Sequence, residues 1–383
     1  SNASNVPPKL AAAATISWHS THVAVQLTLG PLLATSGGRL YVLGTAGSLG
    51  SRSNPIWSSA DGTTWEPLPV SGIDSDFVAR AAIGDASDGL IVVGELTPSE
   101  SVVPQIWYAP DGHTFMKAQV DVSNLASGSG AGAGEIVAVA ANSGHLVAFG
   151  DHDFVSLDKS VGEIRALDAW RSADGKSWAR VDLPDSSGYQ ARSLTAWSGG
   201  FAALASQAKD PEYALWTSPD GLAWRKAGSV PAFGVASILA LAGRLVVVGS
   251  KADTSLGMVP ASWSSADGAS WTESTAPVSG YGAMFDAAAV VQGGIVAIGA
   301  SHVGTTQGLS GASASLPPLV PPSSWISNDG SSWRPTGDIQ VFNPYLTSMT
   351  AFGDRVVVAT NAGTDVVVSL GELAGTGAEA TGT

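Results

Sequence analysis

One nine-residue hairpin, present six times, constrains this chain more than any other feature of its 383 residues. The segment Trp57-Ser58-Ser59-Ala60-Asp61-Gly62-Thr63-Thr64-Trp65 returns as Trp107 to Phe115, Trp170 to Trp178, Trp216 to Trp224, Trp263 to Trp271 and Trp325 to Trp333. Each copy reads as an aromatic strand, an Asp-Gly turn and a second aromatic strand, a strong short-range hairpin signal. The glycine supplies the positive φ of the turn. The aspartate side chain bonds nearby backbone N–H groups.

The turn aspartates at 61, 111, 174, 220, 267 and 329 are separated by 50, 63, 46, 47 and 62 residues, a period near fifty with insertions. Upstream of every copy lies a short apolar strand, a Gly-containing turn and a Val-rich strand, as in Leu239 to Gly249 and Val290 to Gly299. Four antiparallel strands, here called a to d, repeated at this period predict the blades of a propeller. The a–b unit recurs a seventh time at Ala351 to Ala359, followed by a third strand at Asp365 to Leu370 and no fourth. Ile16-Ser17-Trp18 reads as the missing d strand, with Trp18 in the place of Trp65 or Trp271. The expected fold is therefore all-β: a single seven-bladed β-propeller of four-stranded antiparallel blades, closed by the N-terminal strand as outer strand of the last blade. Six blades and a separate cap is the competing count. The domain reading is a tag scar and loose leader over 1–14, the propeller over 15–371 and a flexible tail over 372–383.

The Ser-x-Asp-Gly-x-x-Trp hairpins resemble the Asp-box repeats of sialidase-like propellers, written Ser-x-Asp-x-Gly-x-x-Trp. Ser59, Ser172, Ser218, Ser265 and Ser327 stand at the serine position, and Ala109 replaces it in the second copy. The departure is systematic, because Asp and Gly are adjacent here. The resemblance implies a scaffold rather than an activity, with the boxes on the face opposite the binding mouth. A sialidase would need three arginines gripping a carboxylate, a tyrosine nucleophile beside a carboxylate, and an acid aspartate. Arg52, Arg80, Arg165 and Arg192 are the arginines expected on the right face or inner strands, and none sits in that family's N-terminal motif.

Composition narrows the function classes further. A formal charge of −14 with only 18 Lys and Arg argues against nucleic acid, whose affinity comes from clustered basic residues. The absence of cysteine excludes thiolate metal sites, disulfides and cysteine nucleophiles. No apolar run is long enough to span a membrane. Ser1-Asn2-Ala3 reads as the remnant of tag removal. The loose Pro/Ala stretch from Val6 to Ala14 fits an exported or cell-surface-tethered protein, expected to be a monomer.

In a propeller the d–a connections and b–c loops share the face around the channel mouth, where ligands bind. Arg39, Arg244 and Arg355 fall at a–b turns on the far face. Three groups remain. Asp74, Asp76, Glu95, Glu135, Asp151, Asp153 and Asp158 place carboxylates on the rim of blades 2 and 3, donors of the type a calcium ion takes. They match no calcium-loop spacing, and the reading as solvated loop acids leads. Arg80, Arg192, Asp286 and Thr347 share one register at the start of strand a, the channel-lining position. They would bind an anion, or pair across the channel. Phe77, Tyr189, Phe233, Tyr281 and Tyr345 precede strand a, where an aromatic either contacts a ligand or plugs the gap between blades. The long b–c loops, Asp151 to Glu163 and Ser301 to Pro322, border the same face.

With complete scaffold repeats and no catalytic motif, the expected function is non-catalytic binding of a protein, peptide or glycan. The alternative is a glycoside hydrolase or lyase with a non-standard site at the channel mouth. No cofactor is required by either.

Overall fold

The computed structural model describes residues 15–48, 50–84, 89–97, 102–123, 134–155, 163–207, 210–278, 282–302, 319–339 and 347–374. Among them are 29 strands and no helix, gathered into seven sheets. Blades 1 to 6 cover 32–68, 77–117, 134–187, 189–230, 234–275 and 287–338, each running a-b-c-d outward. Blade 7 takes its three inner strands from Thr347–Phe352, Arg355–Asn361 and Val366–Ala374 and its outer strand from Thr15–Val23. The a strands of neighbouring blades touch in a complete circuit, blade 7 returning to blade 1. Seven blades is the observed count.

The closing strand is longer than its Ile16-Ser17-Trp18 core. Thr15–Val23 pairs antiparallel along all nine residues of Val366–Ala374. Ile16 is buried with Val296, Ile326 and Val356 between blades 6 and 7, and Trp18 packs against the same cluster. The Trp18 indole N–H points to Ser324 Oγ at 3.4 Å, just as that of Trp333 donates to Ser262 Oγ at 2.8 Å one blade earlier. Ser324 and Ser262 each precede the first tryptophan of a hairpin, so Trp18 stands where Trp333 does.

Most of the core lies between blades. Trp170, Trp216 and Trp263 are wholly buried, each among residues of its own blade and the one before. Trp170, Trp216 and Trp325 donate to the carbonyls of Asp121, Pro184 and Pro277, at 2.8, 2.9 and 3.0 Å. Aromatics at this register therefore hold adjacent blades together.

The turn aspartates are structural. In the first copy Asp61 Oδ1 accepts the N–H groups of Thr63 and Thr64, both at 2.7 Å, and Ser59 Oγ accepts that of Gly62 at 2.8 Å. The turns at 172–175, 218–221, 265–268 and 327–330 repeat the pattern. These N–H groups hold the exposed aspartate carboxyls below the usual range. Arg355, beside an a–b turn, donates to the Asp61 carbonyl at 3.0 Å, so a–b and c–d turns share one face. One blade departs from four antiparallel strands: Gln119–Val120, in the connector from blade 2, adds a fifth, parallel strand to blade 3. It occupies edge groups that would otherwise face water.

A backbone irregularity near the mouth positions the site. In blades 2 to 5 strand a bulges at Arg80, Val137, Arg192 and Ala236. Opposite, strand b approaches so closely that a Cβ on Gly94, Gly150 or Gly249 would stand 1.8–1.9 Å from a carbonyl oxygen of strand a. Blade 4 has Ala205 at that register. A bulge re-aims a side chain, and here the re-aimed residue is the one predicted to line the channel.

Candidate functional site

Seven charged side chains from blades 1 to 3 surround one cavity of about 340 Å³ on the face where a strands begin and b strands end. Arg80, at the bulge of blade 2, meets Glu95 on strand b with Nη2 at 2.7 Å and Nε at 3.1 Å from the carboxylate. Its Nη2 also lies 3.6 Å from Glu135, which opens strand a of blade 3. Glu135 in turn stands 3.9 Å from Arg165 Nη1, on strand c of that blade. Arg165 pairs with Asp153 at 2.9 Å and with Asp151 at 3.5 Å. Arg52 reaches in from blade 1 and donates to Thr97 Oγ1.

The carboxylates differ in environment. Asp151 is only 2% exposed; its Oδ2 accepts the Ala191 N–H of blade 4 at 2.7 Å. Burial pushes its carboxyl up to about 6, with Glu135 and Asp153 adding to the rise and Arg165 opposing it. Burial also pushes Glu95 up, against the downward pull of Arg80. The two arginine side chains remain partly open, Arg80 39% and Arg165 40% exposed. The cavity is thus floored by buried carboxylates and rimmed by accessible cations, which suits a ligand offering both acceptors and donors.

Behind this wall His152 faces the opposite side of strand b, as alternation requires. It meets Asp168 at 2.5 Å, and Asp168, wholly buried, also receives Arg180 at 2.6 Å. This network stiffens blade 3 away from the cavity.

Of the residues singled out from sequence, Arg52, Arg80, Glu95, Glu135, Asp151, Asp153 and Arg165 come together here. Asp74 lies 3.8 Å from Lys117 and lines a second cavity, and the Asp76 carbonyl accepts from Thr97 Oγ1 at 3.2 Å. Among the described residues no group of three His, Asp or Glu side chains is placed to hold a metal ion. Arg192 donates to Ser206 and Gln190, at 2.8 and 2.7 Å, outside this cavity. Asp286 accepts the Ala300 N–H at 3.0 Å, and burial pushes its carboxyl up to about 7. Phe77 is wholly buried against Trp107. Tyr189 packs edge-on against Trp216 at 4.9 Å, and its hydroxyl accepts from Lys226 at 2.7 Å. Phe233 is 62% exposed. Tyr281, Tyr345 and Asp158 lie outside the described residues.

All seven stand out in the sequence as rim or inner-strand charges, but in separate groups, and their convergence does not. Register relates two of them. Glu95 and Asp151 are equivalent positions of adjacent blades, each one residue beyond the close-approach glycine. Blade 4 has Ser206 there, and the Arg192–Ser206 bond repeats Arg80–Glu95 with a hydroxyl for the carboxylate.

No protein-family model and no curated protein sequence matches this chain. Solved structures do. A puromycin hydrolase S511A mutant shares 13% identity at a TM-score of 0.52, over 86% of this chain and 50% of its own. A PL25 ulvan lyase shares 12% at 0.49, over 80% and 79%. A Trypanosoma rangeli sialidase shares 12% at 0.43, over 96% and 60%. The chain therefore spans about three fifths of that sialidase and half of that hydrolase. At such identities the likeness is one of fold, and it transfers no residue's role.

Proposed function

We propose that this protein is an exported, monomeric, non-catalytic propeller that binds a glycan in the cavity shared by blades 1 to 3. One observation carries the reading: seven charged side chains of three blades converge on about 340 Å³, with two arginine side chains left about two-fifths exposed. Sugar hydroxyls both donate and accept, so they match a wall alternating carboxylates with guanidinium groups. The volume is that of a small-ligand site, about 300–1,000 Å³, whereas a protein partner needs about 800 Å² of surface on each side. Screening a glycan array and measuring hits by calorimetry tests the reading. Arg165→Ala and Glu135→Gln should each weaken binding about tenfold or more, the loss of one charge-assisted hydrogen bond. An array without a binder refutes it.

A second reading rests on Asp151. With its carboxyl pushed up to about 6, it holds a proton in part of the molecules near neutral pH, as a general acid for glycosidic cleavage must. Release of reducing ends that disappears in Asp151→Asn would replace binding by hydrolysis. A binder left intact after prolonged incubation excludes it.

A further inference from the structure

We infer that the ligand is an oligosaccharide chain rather than a single sugar, and that a second cavity on blade 1 is its outer subsite. This inference rests on the glycan reading of the inner cavity. The outer cavity, about 410 Å³, is walled by Pro55, Pro67, Val70 and Ile73 and edged by Ser71 and Ser75. It adjoins the inner one through Arg52, which lines both.

Arg52 stands at the junction of the two cavities. Its guanidinium offers five N–H donors. Among the described residues its hydrogen bond is to Thr97 Oγ1; Glu95 is near enough to feel its charge, but no ion pair within 4.0 Å joins them. Arg80 and Arg165, by contrast, are committed to carboxylates. A half-buried guanidinium between two cavities, with donors to spare, calls for an acceptor-rich group at the junction. The outer wall differs from the inner one, being mostly aliphatic and proline-rich, with Trp57 among its residues, hydroxyls at its edge and one carboxylate, Asp74. A pyranose ring has the matching form, an apolar C–H face and polar edges. One ring is served by the inner cavity alone; only a chain crosses Arg52 and uses both.

The test is calorimetry with two probe ladders, cello-oligosaccharides and oligogalacturonides from monosaccharide to hexasaccharide, beside the array above. Ser75→Trp, with Ser71→Trp as a second version, fills the outer cavity from an exposed loop position and leaves the inner cavity untouched. Thermal melting checks that each variant folds. Affinity should climb about tenfold or more with chain length, and either tryptophan should abolish the climb while the monosaccharide binds as before. Arg165→Ala should weaken every length. Equal affinity at all lengths, unchanged by Ser75→Trp or Ser71→Trp, overturns the outer subsite and leaves the inner reading standing. Failure of every ladder member and every array glycan overturns both. Binding of extended peptides across Arg52, with no glycan bound, overturns the assignment to sugar.

Discussion

Replacing Ile16 and Trp18 by alanine tests the closure of the ring where it is most exposed to error, across the largest sequence separation in the fold. Ile16 is 7% exposed and sits among Val296, Ile326 and Val356, so its truncation should cost about 2–4 kcal/mol as for other buried aliphatics. Trp18 is half-buried, and about half the 3–5 kcal/mol of a fully buried tryptophan gives about 2 kcal/mol. The two share one cluster and will not add fully, which leaves a loss of about 4 kcal/mol for the pair. Against a typical total of about 5–15 kcal/mol that is a large fraction. Thermal melting should fall by roughly 5–10 °C, the shift per kcal/mol being smaller for a long chain than for a small domain. His19→Ala, exposed on the same strand, serves as control and should melt as the parent does. If the double variant melts with that control, Thr15–Val23 decorates a ring closed by other contacts.

Three further outcomes follow from single positions. Burial holds the Asp286 carboxyl near 7 against 3.8 when unfolded, so the folded state keeps a proton the unfolded state loses, and stability falls as pH rises from about 4 to about 7 by up to a few kcal/mol. Asp286→Asn should flatten that part of the curve and out-melt the parent at pH 8; parallel melting curves would count against it. Gly150→Ala puts a Cβ 1.9 Å from the Glu135 carbonyl oxygen, so strand a of blade 3 must shift toward the spacing at which blade 4 accepts Ala205. It should destabilise the protein by about 1–3 kcal/mol and weaken glycan binding by displacing Glu135, which denaturant titration and calorimetry read separately. Asp220→Ala removes three turn hydrogen bonds on the far face and should cost about 1 kcal/mol with ligand affinity unchanged; altered affinity would place the site wrongly.

What could be read from sequence follows the range of the interactions involved. The hairpins were legible because Ser59, Asp61 and Gly62 bond within four residues of one another, as do their copies. Closure was legible because Trp18 keeps the repeat pattern although its partners lie some 300 residues away. Register, however, gives the height and radius of a residue in a ring, not its bearing around the axis. Arg80, Arg192 and Asp286 share a register, but they belong to blades 2, 4 and 6, and each has its own partner. The aromatics show the same limit. Phe77, Tyr189 and Phe233 stand at one position of three blades and are buried, half-buried and 62% exposed, because neighbouring loops decide what covers them. Glu135, Arg165 and Asp153 were visible as rim charges; the bonds joining them depend on side-chain reach between strands, which no spacing encodes.

The repeats also supply an internal control for function. Where blade 3 carries Glu135, blades 2, 4, 5 and 6 carry Val78, Gln190, Gly234 and Met284; where blades 2 and 3 carry Glu95 and Asp151, blades 4, 5 and 6 carry Ser206, Ser250 and Ala300. The same bulge forms in blades 3 and 5 over Val137 and Ala236 as over Arg80. The scaffold therefore does not require charge at these registers, and burying carboxylates carries a desolvation cost that a neutral side chain avoids. Glu95→Ser and Asp151→Ser install what blades 4 and 5 already tolerate. Each variant should keep its fold, since Arg80 would meet a hydroxyl as Arg192 meets Ser206, and its melting temperature should stay within a few degrees of the parent. Glycan affinity should fall about tenfold or more in the same proteins. A pair of variants that unfold at room temperature, or that bind as the parent does, would show that the carboxylates serve blade packing and that the ligand is held elsewhere on the ring.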